Sequence, residues 1–188
     1  MNDALSRGYA YRITALTGAN VSVTITDDDF MIGTTHKVDV DQIPLMLSTR
    51  DLEPILRKAV KDSEIFKLRF RHTAARSFMI LRNYMGRSIS VNRQQTRSTY
   101  LLDMLRDMDN EPVIEETYRE ILEDDMDIKN ARVVLELIEN GKMGVRVIHF
   151  NGTPSPFAHS VILSGFSDIV LMEDRTALLK ELHRKVLE

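Results

Sequence analysis

The sequence predicts an α+β protein, a helical bundle flanked by a small, mainly antiparallel β-sheet. Two patterns carry that reading. Apolar residues recur every three or four positions at Phe66, Phe70, Ala74, Phe78 and Leu81, whereas Asn20 to Thr26 alternates as NVSVTIT. Size is the third observation: 188 residues, 43% of them hydrophobic, can bury a core as one domain or as two small lobes sharing an interface. The divisions expected are a helix and small sheet over 1–50, a helical lobe with a basic centre over 51–140, and a strand, loop and C-terminal helix over 141–188 completing the same compact unit.

In chain order, Asp3 is placed to cap a helix over Ala4 to Leu16, which Gly18 ends. After the Asn20 to Thr26 strand, Asp27, Asp28 and Asp29 form a turn. Phe30 to Gly33 returns as a second strand and His36 to Val40 supplies a third at the sheet edge. Asp41 to Leu47 and Asp51 to Lys61 read as short helices, Pro54 being tolerated in the first turn of the second. Ser63 caps a long helix through Leu81 that is apolar on nearly every side, the pattern of a central helix packed on several neighbours. Beyond a turn at Met85, Gly86 and Arg87, the next helix begins near Ser90, with its stripe on Val91, Ser98, Leu101, Leu102, Leu105 and Met108. Glu111 to Asp125 is amphipathic, with Val113, Tyr118, Ile121 and Leu122 inward and its carboxylates outward, and Asp127 caps Ile128 to Asn140 before Gly141. Gly144 to Phe150 (GVRVIHF) reads as a strand, Asn151 to Phe157 as a proline-punctuated loop, and Glu173 to Leu187 as a charged helix with Leu178, Leu179, Leu182 and Val186 on its apolar side.

Charge singles out the middle of the chain. The formal net charge is −3, yet Lys67, Arg69, Arg71, Arg76, Arg82, Arg87, Arg93 and Arg97 stand between Ile65 and Leu102 with no acid among them. On a helical wheel Lys67, Arg71 and Arg82 fall on one stripe, Arg69 and Arg76 on another. Arg93, Arg97 and Tyr100 share a flank of the following helix. Two guanidinium forks one turn apart each hold a phosphate bidentately, and a phenol ring offers a face to a base. A basic run is equally a solvated face or the partner of acidic helices, and the acid-rich stretch from Asp103 to Glu139 lies next to this one. Both readings stand at this level, and the second shrinks any outward positive patch.

Several chemistries lack their residues. There is no cysteine, which removes thiol nucleophiles, thiolate zinc sites and disulfides and agrees with a reducing, cytoplasmic setting. No apolar run is long enough to span a bilayer, so no membrane partner is expected. The best approach to a phosphate loop, ENGKMGV at Glu139 to Val145, lacks the first glycine and the hydroxyl, and no cofactor is expected. Asp27 to Asp29 do not continue into a calcium loop. His36, His72, His149, His159 and His183 show no metal-ligand spacing, and His72, inside the apolar-rich helix, reads as a core residue or as one supporting a neighbouring side chain, ahead of a catalytic base. No serine has a nucleophile-elbow context and Asp124 and Asp125 sit on a solvated face, so no catalytic residue is expected.

From Phe66 to Gln95 the chain (with RFRHTAARSFMILRNYMGRSISVNRQQ) resembles the region carboxy-terminal to the motor in archaeal large helicase-related (Lhr-type) ATP-dependent helicases of superfamily 2. The segments TGANVSVTITDD, TPSPFAH and DIVLMEDR are similar to the same region, in the same order. The resemblance implies a DEAD/H-associated accessory domain, winged-helix-like with a β-rich part. It makes this chain a carboxy-terminal piece of such a helicase, Met1 being an artificial or internal start, with the ATPase motifs elsewhere. Carried over, the family's basic motif falls on Arg69, Arg71, Arg76, Arg82, Arg93 and Gln95, for phosphate contact and interlobe packing, without deciding which does which. The function so implied is gripping single-stranded or tailed nucleic acid by its backbone, through Lys67, Arg69, Arg71, Arg76, Arg82, Arg87, Arg93, Arg97 and Tyr100. Its partners are nucleic acid, DNA ahead of RNA, and the motor lobes of the parent chain. The competing function is a scaffold that docks on motor lobes or a partner protein without touching nucleic acid. A third class, an autonomous hydrolase or base-excision enzyme, has no nucleophile and base to name.

Overall fold

A computed structural model describes residues 1–106, 108, 111–149 and 155–165, together with positions 180 and 184. Helices dominate: α1 (Asn2–Thr17), α2 (Thr49–Val60), α3 (Glu64–Arg76), α4 (Val91–Leu105), α5 (Pro112–Arg119), α6 (Ile128–Glu139) and α7 (His159–Gly165). Among the described residues two antiparallel hairpins join them, β1 (Val21–Ile25) with β2 (Phe30–Thr34), and β3 (Asn83–Tyr84) with β4 (Arg87–Ser88). The class is α+β, as the patterning requires.

The chain divides into two compact units, Met1–Leu52 with Lys129–Glu188, and Glu53–Ile128. In the first, α1 buries Ala4, Leu5, Tyr9 and Ile13, and Tyr9 stacks on Phe30 at 6.4 Å between ring centroids. The β1–β2 turn is held by the Thr26 N–H donating to the Asp29 carbonyl at 2.8 Å, and by Asn2 Nδ2 donating to the Asp27 carbonyl at 2.8 Å. The three aspartates thus serve as a turn. Among the described residues no cluster of three or more His, Asp or Glu side chains is placed to hold a metal ion. Glu139, at the end of α6, caps α2 from ninety positions away, accepting from the Thr49 N–H at 2.7 Å and its hydroxyl at 3.0 Å.

In the second unit the core gathers on α3, whose Phe66, Phe70, Thr73 and Ala74 are buried together with Leu102 and Leu105 of α4 and Val113 and Tyr118 of α5. Phe66 meets Tyr118 at 4.8 Å between centroids, and the Arg57 guanidinium covers the other ring at 4.7 Å. Ser63 caps α3 as expected, its hydroxyl oxygen accepting from the Phe66 N–H at 3.2 Å. Val113, Tyr118, Ile121 and Leu122 point inward as the periodicity requires.

Several expectations are corrected. Helix α1 starts at Asn2 with no side-chain cap, and Asp3 sits in its first turn, where its carboxylate bonds Arg7 one turn on. His36 to Val40 is no strand: Asp39 accepts from the Asp41 N–H at 3.2 Å and starts a 3-10 helix over Val40–Leu45, a local bond that outcompetes sheet pairing. Residues 144–149 form no strand either, since no described strand offers them a partner. Because α2 begins at Thr49, Pro54 lies beyond its first turn.

Helix α3 stops at Arg76 and does not reach Leu81. Phe78 turns left-handed at φ 58, and the Met79 N–H bonds back to the Ala74 carbonyl at 2.9 Å while the Phe78 N–H bonds that of Ala75 at 3.3 Å. This closure rotates Ile80 into the core, 3% exposed, and throws Phe78 outward, 85% exposed. Leu68 and Met79 are also exposed, so α3 is not enclosed on every side. The turn at Met85 to Arg87 exists, but as the apex of a hairpin: Met85 (φ 48) and Gly86 (φ 75) form a two-residue loop whose left-handed pair matches strand twist. The loop over Asn151 to Phe157 begins outside the described residues, which resume at Ser155, and the helix over Glu173 to Leu187 lies outside them apart from 180 and 184. Among the described residues no helix is long and apolar enough to cross a membrane.

Candidate nucleic-acid interface

The basic residues separate into two populations. Arg69 and Arg76 lie two turns apart on α3, on either side of buried Thr73, and both bond Glu120, whose side chain is 8% exposed. Arg69 also bonds Asp125. This corrects the expectation that every carboxylate of Glu111 to Asp125 faces outward. The local cause is a π-helical turn over Glu120–Asp125, in which the Met126 N–H reaches back to the Ile121 carbonyl at 3.0 Å. In an α-helix a residue five positions on lies about 140° around the axis. Bonding to the fifth residue instead makes five positions close to one turn, so Glu120 and Asp125 face Arg69 together.

The second population has no such partners. Among the described residues, Arg71, Arg82, Arg87, Arg93 and Arg97 make no ion pair. Arg87 from β4 and Arg93 and Arg97 from α4 converge with Leu81, Tyr84, Ser88, Ile89 and Ser90 on a cleft of about 510 Å³. The hairpin is tied to α4 by Gln94 Nε2 donating to the Ile89 carbonyl at 2.7 Å, which sets Arg87 against the first turns of the helix. The first turn of α4 carries no acid and Ser90, which lines the cleft, makes no side-chain cap bond, so no side chain there offsets the positive end of the helix dipole.

The remaining residues singled out from the sequence lie elsewhere. Lys67 pairs with Glu64 at 2.7 Å, and with Arg71 and Gln95 it lines a separate groove between α3 and α4. Tyr100, 67% exposed, shares a shallow face with Asn92, Gln95, Thr96 and Thr99, away from the arginine cleft. Arg82 stands in the loop before β3, where its carbonyl accepts from the Ile89 N–H at 2.8 Å. His72 is exposed, correcting its reading as a core residue. It lines a small pocket with Arg69, Arg76 and Asp125, and partial burial followed by the charges of Arg71, Arg82, Arg69 and Arg76 holds its pKa below the usual histidine value.

Tyr84 was not legible as a site residue. The only signal in the sequence was Met85-Gly86 between short polar flanks, a two-residue hairpin loop that would set Tyr84 directly opposite Arg87.

Comparison with known proteins bears on this arrangement. The DEAD/H associated family model matches residues 1–158. The chain is 44% identical over 99% of its length to the ATP-dependent helicase Lhr-Core of Sulfolobus acidocaldarius. It is 42% identical, again over 99% of its length, to Lhr-Core protein 2 of Thermococcus barophilus. It spans 22% of the length of each of these relatives. Against the Lhr helicase/uracil glycosylase of Escherichia coli the identity is 31% over 88% of this chain and 11% of that protein. The solved structure of Mycobacterium smegmatis helicase Lhr bound to ssDNA and AMP-PNP superposes with a TM-score of 0.68 at 26% identity, over 85% of this chain and 20% of that one. Pattern, fold and sequence agree over the same residues, and the chain belongs to the DEAD/H-associated family, as the region that its relatives carry within Lhr-type ATP-dependent helicases.

Proposed function

We propose that this domain is a non-catalytic accessory element of an ATP-dependent helicase that grips single-stranded or tailed nucleic acid by its phosphates, in the cleft of Arg87, Arg93 and Arg97. The observation that carries the reading is the division of the arginines. Arg69 and Arg76 bond carboxylates of their own unit, while the cleft arginines converge with no acid beside them among the described residues. Convergent unpaired guanidiniums in an open cleft suit a chain of phosphates, which supplies affinity without sequence information. The M. smegmatis relative, solved with ssDNA, supports a nucleic-acid partner, and DNA is the form proposed here. ATP hydrolysis and its cofactors then belong to motor lobes outside this region, and Arg69 and Arg76 take the packing part of the family's basic motif.

Charge reversal tests this reading. In the Arg93→Glu, Arg97→Glu double variant, affinity for a short single strand in a low-salt polarisation titration should fall at least tenfold while the melting temperature stays within a degree or two. Unchanged affinity would refute the phosphate grip. A second reading, docking on motor lobes or a partner protein, draws on exposed Phe78 and Met85, 85% and 84% accessible. It predicts that Phe78→Asp weakens association with separately expressed motor lobes and leaves oligonucleotide affinity intact.

A further inference from the structure

The cleft is not purely cationic. Leu81, Tyr84 and Ile89 line it together with Arg87, Arg93 and Arg97. Tyr84 is paired directly opposite Arg87 across the hairpin, so ring and guanidinium project from the same face of that ribbon. The two-residue loop at Met85 and Gly86 fixes the register, because a one-residue slip would carry Tyr84 to the opposite face. Tyr84 as a whole stays 58% exposed, although a tyrosine beside apolar neighbours usually buries much of its ring. A volume of about 510 Å³ falls within the range that encloses a small ligand, roughly 300 to 1,000 Å³.

We infer that Tyr84 is a stacking platform for one unpaired nucleobase, so that the cleft takes a whole nucleotide unit, base against Tyr84, Leu81 and Ile89 and phosphate against the arginines. The inference rests on the phosphate-gripping reading and deepens it. Phosphates alone do not distinguish a single strand from a duplex, whereas a base face is free only when it is out of the helical stack. The aromatic wall therefore gives the site its single-strand selectivity, and it tolerates every base because each presents a π-face. Charge complementarity favours this occupant over an apolar protein segment, which would leave three cations desolvated without partners.

The chain contains no tryptophan, so the Tyr84→Trp variant carries a single reporter in the cleft. With the full 188-residue chain, its fluorescence should be quenched by oligothymidine and not by an abasic strand of equal length and charge. Tyr84→Ala should weaken oligothymidine binding about tenfold while abasic affinity changes less than twofold, and Tyr84→Phe should bind as the parent does. Equal quenching by the two strands, or equal losses in Tyr84→Ala, overturns the stacking role alone. If the arginine reversal leaves both strands bound as before, the phosphate grip itself fails. Binding of neither strand by the unaltered chain overturns both.

Discussion

Glu120 shows why residue type alone cannot assign the arginines. Its carboxylate, 8% exposed, is neutralised by Arg69 and Arg76, and Arg76 is itself about half exposed at 52%. Removing one guanidinium leaves the other, but Arg69→Ala with Arg76→Ala strands a buried charge. Such losses run at roughly 3 to 5 kcal/mol, and the exposure of Arg76 puts this pair at the lower end, about 3 kcal/mol, in a urea titration. Arg93→Ala and Arg97→Ala should each cost less than about 0.5 kcal/mol by the same measurement, since neither makes an ion pair among the described residues. At His72 the folded-state pKa lies below the unfolded value because burial and then the neighbouring arginines disfavour the imidazolium. The folded protein consequently binds fewer protons than the unfolded chain. This group costs nothing above about pH 6.5, and stability falls as the pH drops below that value. An NMR titration should place the His72 midpoint below that of a peptide histidine, and Arg71→Gln should move it up.

Among the elements, α3 and its C-terminal closure fix the geometry of the hairpin that follows. Phe66, Phe70 and Ala74 hold the helical period that α3 follows, and the same apolar spacing continues to Phe78 beyond the end of the helix, because no glycine marks the stop. The left-handed position that usually belongs to glycine is occupied by Phe78 at φ 58. An L-residue there is strained by roughly 1 to 2 kcal/mol, part of which a glycine returns to unfolded-chain entropy. Phe78→Gly should therefore raise stability by about 0.5 to 1 kcal/mol in thermal or urea unfolding, and a loss would mean that the exposed ring makes contacts of its own. The hairpin β3–β4 escaped the sequence reading because its strands are two residues each, too short for an alternation to register. The π-helical turn was equally invisible, since its five-residue spacing of Glu120 and Asp125 looks like an ordinary solvated helix face.

For the whole molecule, a net charge of −3 gives no general attraction to polyanions, so any affinity for nucleic acid has to come from a local concentration of charge. The polarisation titration proposed above makes this quantitative. Three phosphates neutralised by Arg87, Arg93 and Arg97 on a single strand give a slope of log K against log salt of about −2, from about −0.7 per phosphate. Each arginine removed should flatten the slope by about 0.7, and a slope of zero would mean that binding, if any, is not to phosphates.

Hydrophobic periodicity, the Ser63 cap and the count of charges are local properties, and from them the sequence by itself determined the α+β class, the order of most helices and the basic centre of the chain. The tertiary structure decided which cations are free. Ion pairing depends on what lies within a few ångströms, and that was set by a π-helical turn carrying Glu120 to Arg69 and Arg76, and by a short hairpin carrying Arg87 and Tyr84 to α4. Neither device leaves a period in the sequence, because each is defined by backbone bonds and long-range packing and not by the spacing of apolar residues.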